Sequence, residues 1–171
     1  MTVYFTSDQH FGHAAARGFY GRPFASTADM DNQMIAYWNS VVDPTDKLWH
    51  LGDFAVRQSP ERISNLLKLL HGHKHLIAGN NDNGTVRESS GWLNVRDYAE
   101  LDVDGVTLIL CHYPFRSWRD MAKGSINLHG HSHGRLKPMP RQFDVGVDAR
   151  GFRPVTLEAL LGTQRRAKSD H

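Results

Sequence analysis

Cysteine is almost absent from this chain. Cys111 is the only one in 171 residues, which excludes an internal disulfide and fits a reducing compartment. Long apolar runs are missing too: none approaches the roughly 18 residues needed to cross a bilayer, so no membrane partner is expected. The first residues show no basic segment followed by an apolar stretch and cleavage site, so no export signal is expected and the cytoplasm is the expected location. Charge of one sign is scarce. The formal net charge is +2, and Arg165, Arg166 and Lys168 against Asp170, close to the end of the sequence, account for all of it. The remainder lacks the basic stripe that marks a nucleic-acid binder.

What is present is the composition of an ordinary globular domain, 40% hydrophobic and 22% charged, long enough to bury a core. One domain is expected over residues 1–163, with 164–171 a disordered tail. Strand-like and helix-like segments alternate, the pattern of a layered α/β protein. Residues 27–40 read as a helix: Ser26 or Thr27 can cap it, and Met30, Met34, Ile35 and Trp38 recur at helical spacing. Ser59-Pro60-Glu61 opens another, with Ile63, Leu66, Leu67 and Leu70 as its apolar stripe and Gly72 as its stop. Asp104-Gly105 joins two strands as a hairpin, and a later strand begins at Phe143.

The chemistry-bearing residues follow these strands. Five short apolar, β-branched runs end at Asp8-x-His10, Gly52-Asp53, Gly79-Asn80, His112 and Gly130-His131-Ser132-His133. Aspartate and histidine one residue apart on an ordinary strand point to opposite faces, so Asp8 and His10 can share an ion only if the chain leaves the sheet there. Gly12 makes such a departure plausible, and Gly52 and Gly79 let backbone approach an ion closely. Singly, each signal is weak, because a Gly-Asp at a strand end is usually a turn. Together, two Asp, one Asn and four His at strand ends suit borderline divalent ions, and seven donors exceed what one ion takes. Two ions sharing a bridge are expected.

Gly72-His73-Lys74-His75 also matches Gly-His-x-His, but it precedes its strand and carries a lysine whose charge opposes a cation. His71, His73 and His75 are therefore expected in a solvated turn.

From Tyr4 to about Asp148 the chain resembles the calcineurin-like metallophosphoesterases, through the strand-end motifs above. The small bacterial and phage members are the most similar, through Thr6-Ser7-Asp8-Gln9-His10-Phe11-Gly12-His13, Arg22-Pro23-Phe24, His50-Leu51-Gly52-Asp53-Phe54 and His112-Tyr113-Pro114. The resemblance implies a four-layer α/β/β/α sandwich with a metal site at the strand C-terminal ends. It implies that Asp8, His10 and His133 hold one metal, Asn80, His112 and His131 a second, and that Asp53 bridges both. Mn is the first expectation for these divalent transition-metal ions, with Fe, Zn, Ni or Co as substitutes. A bridging hydroxide would attack the phosphorus of a phosphodiester or phosphomonoester, nucleotide-derived ones included. The alternatives are a nucleotide phosphatase or pyrophosphohydrolase, and a catalytically weak metal-binding scaffold.

One position departs from the family pattern. Gly-Asn is followed there by histidine, whereas this chain has Asn81, whose amide can bond a phosphate oxygen but cannot act as an acid near neutral pH. Three readings stay open: an engineered exchange, a natural weakening, or another histidine in the role, His13 before His50. Arg17, Arg22, Arg116 and Arg119 are candidates to reach the substrate phosphate, or else solvated loop charges. Trp118 and Phe115 can stack a base or cover the core. Cys111 is expected to be a small buried residue and not a nucleophile. The expected partner is a small phosphoester; the sequence leaves oligomeric state open.

Overall fold

Among the described residues, short runs rich in β-branched and aromatic side chains form nine strands: β1 (Val3–Thr6), β2 (Lys47–His50), β3 (His73–Ile77), β4 (Val95–Arg96), β5 (Tyr98–Val103), β6 (Val106–Cys111), β7 (Ile126–His129), β8 (Gln142–Asp144) and β9 (Val155–Thr156). In this computed structural model, which describes residues 1–169, they make two sheets. One runs β4-β3-β2-β1-β9 and is parallel except for β9. The other runs β5-β6-β7-β8, with the expected Asp104-Gly105 hairpin at one end and parallel pairs for the rest.

Five helices accompany the sheets: α1 (Ala16–Phe19), α2 (Thr27–Asn39), α3 (Pro60–Leu69), α4 (Gly84–Arg87) and α5 (Leu157–Ser169). Ser26 caps α2 by accepting from Asp29 N at 3.0 Å, and Ser59 caps α3 by accepting from Arg62 N at 3.1 Å. Met30, Met34 and Trp38 of α2 and Ile63, Leu66 and Leu67 of α3 pack with Leu48 and Leu76 on the outer face of the first sheet. The inner faces meet through Phe5, Leu51, Ile77, Leu108, Leu110 and Leu128, and α5 adds Leu157 and Leu160 at the edge. Each such side chain contributes about 1.5–3 kcal/mol by leaving water.

The result is the expected two-sheet α/β sandwich. Its fourth layer is thin. Asn127 faces out of the second sheet, fully buried, and its Oδ1 accepts from Phe115 N at 3.2 Å, so an irregular segment with a 3-10 turn, Met121–Lys123, lies over that face. At the other end, the stretch expected to be a loose tail continues α5 as far as Ser169; residues 170 and 171 lie outside the described residues.

Candidate active site

Five of the seven strand-end candidates adopt the left-handed backbone region: Asp8 (φ 62°), His10 (55°), Asp53 (58°), His131 (68°) and His133 (48°). This resolves the problem of Asp8 and His10. Neither sits in a strand, and each left-handed turn swings its side chain back toward the other loops. Gly12 comes too late to be the cause; its N–H donates to Asp31. Gly52 serves close packing of loop on loop: a Cβ there would lie 2.4 Å from His112 Nδ1 and 2.6 Å from Gly79 N. At Gly130 a Cβ would strike Ser7 Oγ at 2.2 Å. Each loop end thus fits only against its neighbours.

The loops bring all seven side chains together. Asp8 Oδ1 lies 4.0 Å from His10 Nε2 and 3.9 Å from His133 Nε2. Asn80 Oδ1 lies 3.1 Å from His112 Nε2 and 3.2 Å from His131 Nδ1. Asp53 Oδ2 stands between the groups, 3.5 Å from His10 Nε2 and 3.6 Å from His112 Nε2. Asp8 Oδ1 and His10 Nε2 are buried and have no hydrogen-bond partner among the described residues. Burial pushes the Asp8 carboxyl well above its usual range and pushes His10 down to about 2, so the imidazole is neutral. A buried carboxyl that resists ionisation without a cation beside it, with one oxygen unpartnered, and a neutral imidazole lone pair, converging with further N and O donors, are what a divalent ion satisfies. The donor set fits a metal.

Outer partners orient these ligands. His112 Nδ1 donates to Leu51 O at 2.7 Å, and His133 Nδ1 to Asp148 Oδ2 at 2.7 Å. Burial alone would raise Asp148, but hydrogen bonds from His133 and Arg22 bring its carboxyl below the usual range. Asp82 closes the second and third loops: its Oδ2 accepts from Asp53 N and Gly79 N at 2.8 Å, and its Oδ1 from Phe54 N at 2.9 Å. Burial pushes it up to about 6.

The remaining expectations fall out unevenly. Asn81 sits at the site, but its amide donates to Asp53 Oδ2 at 2.8 Å. His13 Nδ1 is 3.1 Å from His10 Nδ1, a place behind a ligand. His50 is fully buried, accepting from Gly52 N and donating to Gln9 Oε1, so it has no route to a leaving group. Arg22 is consumed by structure: it donates to Asp148, to Gln9 O and to Asp8 O. Arg17 donates to Phe24 O and Ala25 O, and Arg119 pairs with Glu100. Arg116 is exposed and Trp118 donates to Ser125 O. Cys111 is buried, and burial pushes its thiol up, away from nucleophile character.

An open pocket of about 250 Å3 over the candidate ligands is lined by Tyr20, Asp53, Asn80, Asn81, His131, Ser132, His133 and Arg135. None of the arginines named from sequence lines it. Arg135 does, donating to Phe19 O and lying 5.5 Å from the centre of the Tyr20 ring, which stacks on His133. Its position two residues past His133 was the available signal; Tyr20 had none.

The histidines of Gly72-His73-Lys74-His75 are elsewhere and are not in a solvated turn. His73 and His75 belong to β3 itself; His73 is exposed, while His75 stacks on Trp49 at 4.5 Å. Lys74 is buried and donates from Nζ to Leu70 O and Gly72 O, neutralising the carboxyl end of α3. His71 Nδ1 bonds Val42 O at 2.9 Å.

A two-sheet α/β sandwich with carboxylates, an amide and imidazoles gathered past its strand ends defines a hydrolase class that works on phosphoesters. The chain belongs to the calcineurin-like phosphoesterase superfamily: the model of that domain matches residues 1–142. The chain is 34% identical over 178 residues to the Gene 66 protein of Mycobacterium phage D29, covering 86% of this chain and 88% of that protein. It is 27% identical to protein MJ1445 of Methanocaldococcus jannaschii, over 97% of this chain and 93% of that one. Its fold matches the crystal structure of AQ665 from Aquifex aeolicus with a TM-score of 0.75 at 20% identity, over 94% of this chain and 98% of that one.

Proposed function

We propose that the chain is a divalent-metal-dependent phosphoesterase that hydrolyses small phosphodiesters or phosphomonoesters, nucleotide-derived ones included. The observation that supports this reading is Asp53 Oδ2, which lies 3.5 Å from His10 Nε2 on one side and 3.6 Å from His112 Nε2 on the other, so that one carboxylate would serve both donor groups. Asp8, His10 and His133 hold one ion on this reading, and Asn80, His112 and His131 a second. Manganese suits the mixed imidazole and carboxylate set, which also accepts Fe, Zn, Ni or Co. Bound ions supply Lewis acidity, lowering the pKa of water and offsetting the charge of the phosphate.

The chain's own residues do the rest. Arg135 reaches the pocket and is the cation placed to pair with a phosphate oxygen. Asn81 gives up its bond to Asp53 and offers its amide N–H to a second oxygen, orienting the ester without protonating the leaving group. His13 positions His10. Asp148 and the Leu51 carbonyl fix the ring orientation of His133 and His112. The scarcity of cysteine fits the cytoplasm, and no described helix is long and apolar enough to cross a membrane.

Metal analysis is the test. Protein saturated with Mn2+ should contain two ions per chain, and Asp53→Asn should weaken both together. One ion at saturation removes the bridge. Activity should track leaving-group quality: without an acid at position 81, bis-(p-nitrophenyl) phosphate should outrun alkyl esters, and Asn81→His should speed the alkyl esters by about tenfold or more. Equal response of both ester types would remove Asn81 from the account.

A further inference from the structure

A cavity of about 290 Å3 shares no lining residue with the metal-type pocket. The two cavities share one piece of chain: Ser132, His133 and Arg135 line the first, while Gly134, Leu136 and Lys137 line the second. Its volume is at the lower end of small-molecule sites. Three features give it a chemical character.

The floor is polar. His129 is 3% exposed and forms part of the cavity wall. Its Nδ1 donates to Gly130 O at 2.8 Å, which leaves Nε2 as an acceptor, and Nε2 has no partner among the described residues. An acceptor held in this position is satisfied by a donor on whatever fills the space. The walls are apolar: Met139 and Leu136, the latter 51% exposed, with Phe143 contributing only an edge because it packs in the inter-sheet core. The rim carries two cations and one carboxylate: Asp144 lines the cavity too, but its Oδ2 already accepts from Gly134 N at 2.8 Å and its Oδ1 from Gly146 N at 2.7 Å, which leaves the two cations in excess. Arg150 is half-buried and spends only its Nε on protein, donating to Asp144 O at 2.7 Å; its terminal nitrogens have no partner among the described residues. Lys137 stands exposed beside it.

We propose that this cavity is a second small-molecule site, distinct from the metal-type pocket. It takes an aromatic carboxylate that carries a hydroxyl or amine donor at the end remote from its charge. The donor meets His129 Nε2, the ring lies against Met139 and Leu136, and the carboxylate meets Arg150 and Lys137. The inference stands apart from the catalytic reading, since neither the ligand nor its contacts involve the metal-type residues.

The probe is 6-hydroxy-2-naphthoate, whose hydroxyl and carboxylate sit at opposite ends of a fluorescent ring system. It is titrated into the full chain, with fluorescence giving affinity and amide NMR shifts giving location. Saturable binding of one molecule is expected, with shifts centred on Gly134, Leu136 and Ala149. Removing the hydroxyl (2-naphthoate) or the carboxylate (2-naphthol) should each weaken binding by about five- to tenfold. Lys137→Glu reverses the rim charge and Thr163→Trp fills the mouth; each should weaken binding by about tenfold or more, with unchanged thermal melts showing that both fold. His131→Ala should bind the probe as the unmodified chain does. Shifts centred on Asn80 and His112, equal affinity in Thr163→Trp, or no saturable binding would overturn the proposal. So would equal affinity for all three probes.

Discussion

His73-Lys74-His75 and His131-Ser132-His133 each follow a glycine, and each places two histidines two residues apart. One pair lies inside a strand and the other just past the end of one. Inside β3 the backbone is spoken for by its neighbours, the side chains alternate across the sheet, and the two rings go to solvent and to Trp49. Past β7 the backbone turns left-handed at both histidines, and their rings enter a space already entered by Asp8, Asn80 and His112. His50 repeats the lesson of β3: held within β2, it is sealed in the core. Residue type sets which chemistry is possible; position relative to the strand end sets whether other donors are within reach.

The largest expected effect tests that difference directly. His131→Ala and His133→Ala should each lower metal-dependent hydrolysis by on the order of 10³-fold or more, while His73→Ala and His75→Ala stay within a few-fold. Steady-state rates on bis-(p-nitrophenyl) phosphate decide it, and equal losses from both pairs would end the comparison. Next in size is Asp148→Ala. It leaves every proposed ligand in place but releases His133 Nδ1, and metal affinity should fall about 10–100-fold in a metal titration.

The strand-interior histidines predict stability. Burial pushes His50 down to about 3, below its ordinary 6.5, so the unfolded chain binds a proton that the folded one refuses. Stability from this group is therefore full above pH 6.5 and drains away as pH falls toward 3, by about 3–5 kcal/mol. Urea unfolding of the metal-free chain and of His50→Gln across that range should show a shallower slope in the variant. The smallest effect sharpens the comparison most. Lys74→Ser makes both stretches Gly-His-Ser-His, yet it should add no metal to the stoichiometry. It should cost about 1–2 kcal/mol, because the carboxyl end of α3 loses its cation.

The contrast also explains what was legible in the sequence. Strand ends announce themselves by an apolar run followed by glycine or a polar residue, so the seven candidate ligands and a layered α/β class could be read, while the two-sheet sandwich came with the family resemblance. The parts that hold them could not. Asp148 reaches His133 and Arg22 only because β8 and the following turn come back beside the first loop, 126 positions after Arg22. Leu51 acts through a carbonyl, which no side chain advertises. Arg22 looked like a phosphate grip because charge is visible and burial is not. The His71–His75 stretch looked solvated because its polarity hid a stacked ring and a helix-capping lysine.

The left-handed backbone at Asp8, His10, Asp53, His131 and His133 bears on the history of such a chain. Side chains with a Cβ hold that conformation at a cost on the order of 1 kcal/mol each, which Asn, Asp and His reduce and only glycine avoids. A lineage released from its reaction would meet steady selection for stability at these five positions. Drift there would run toward glycine first, before the core changed at all. Asp and His at all five leave a residual cost that glycine would remove, and on the proposed reading it is the shared donor cluster that keeps them there.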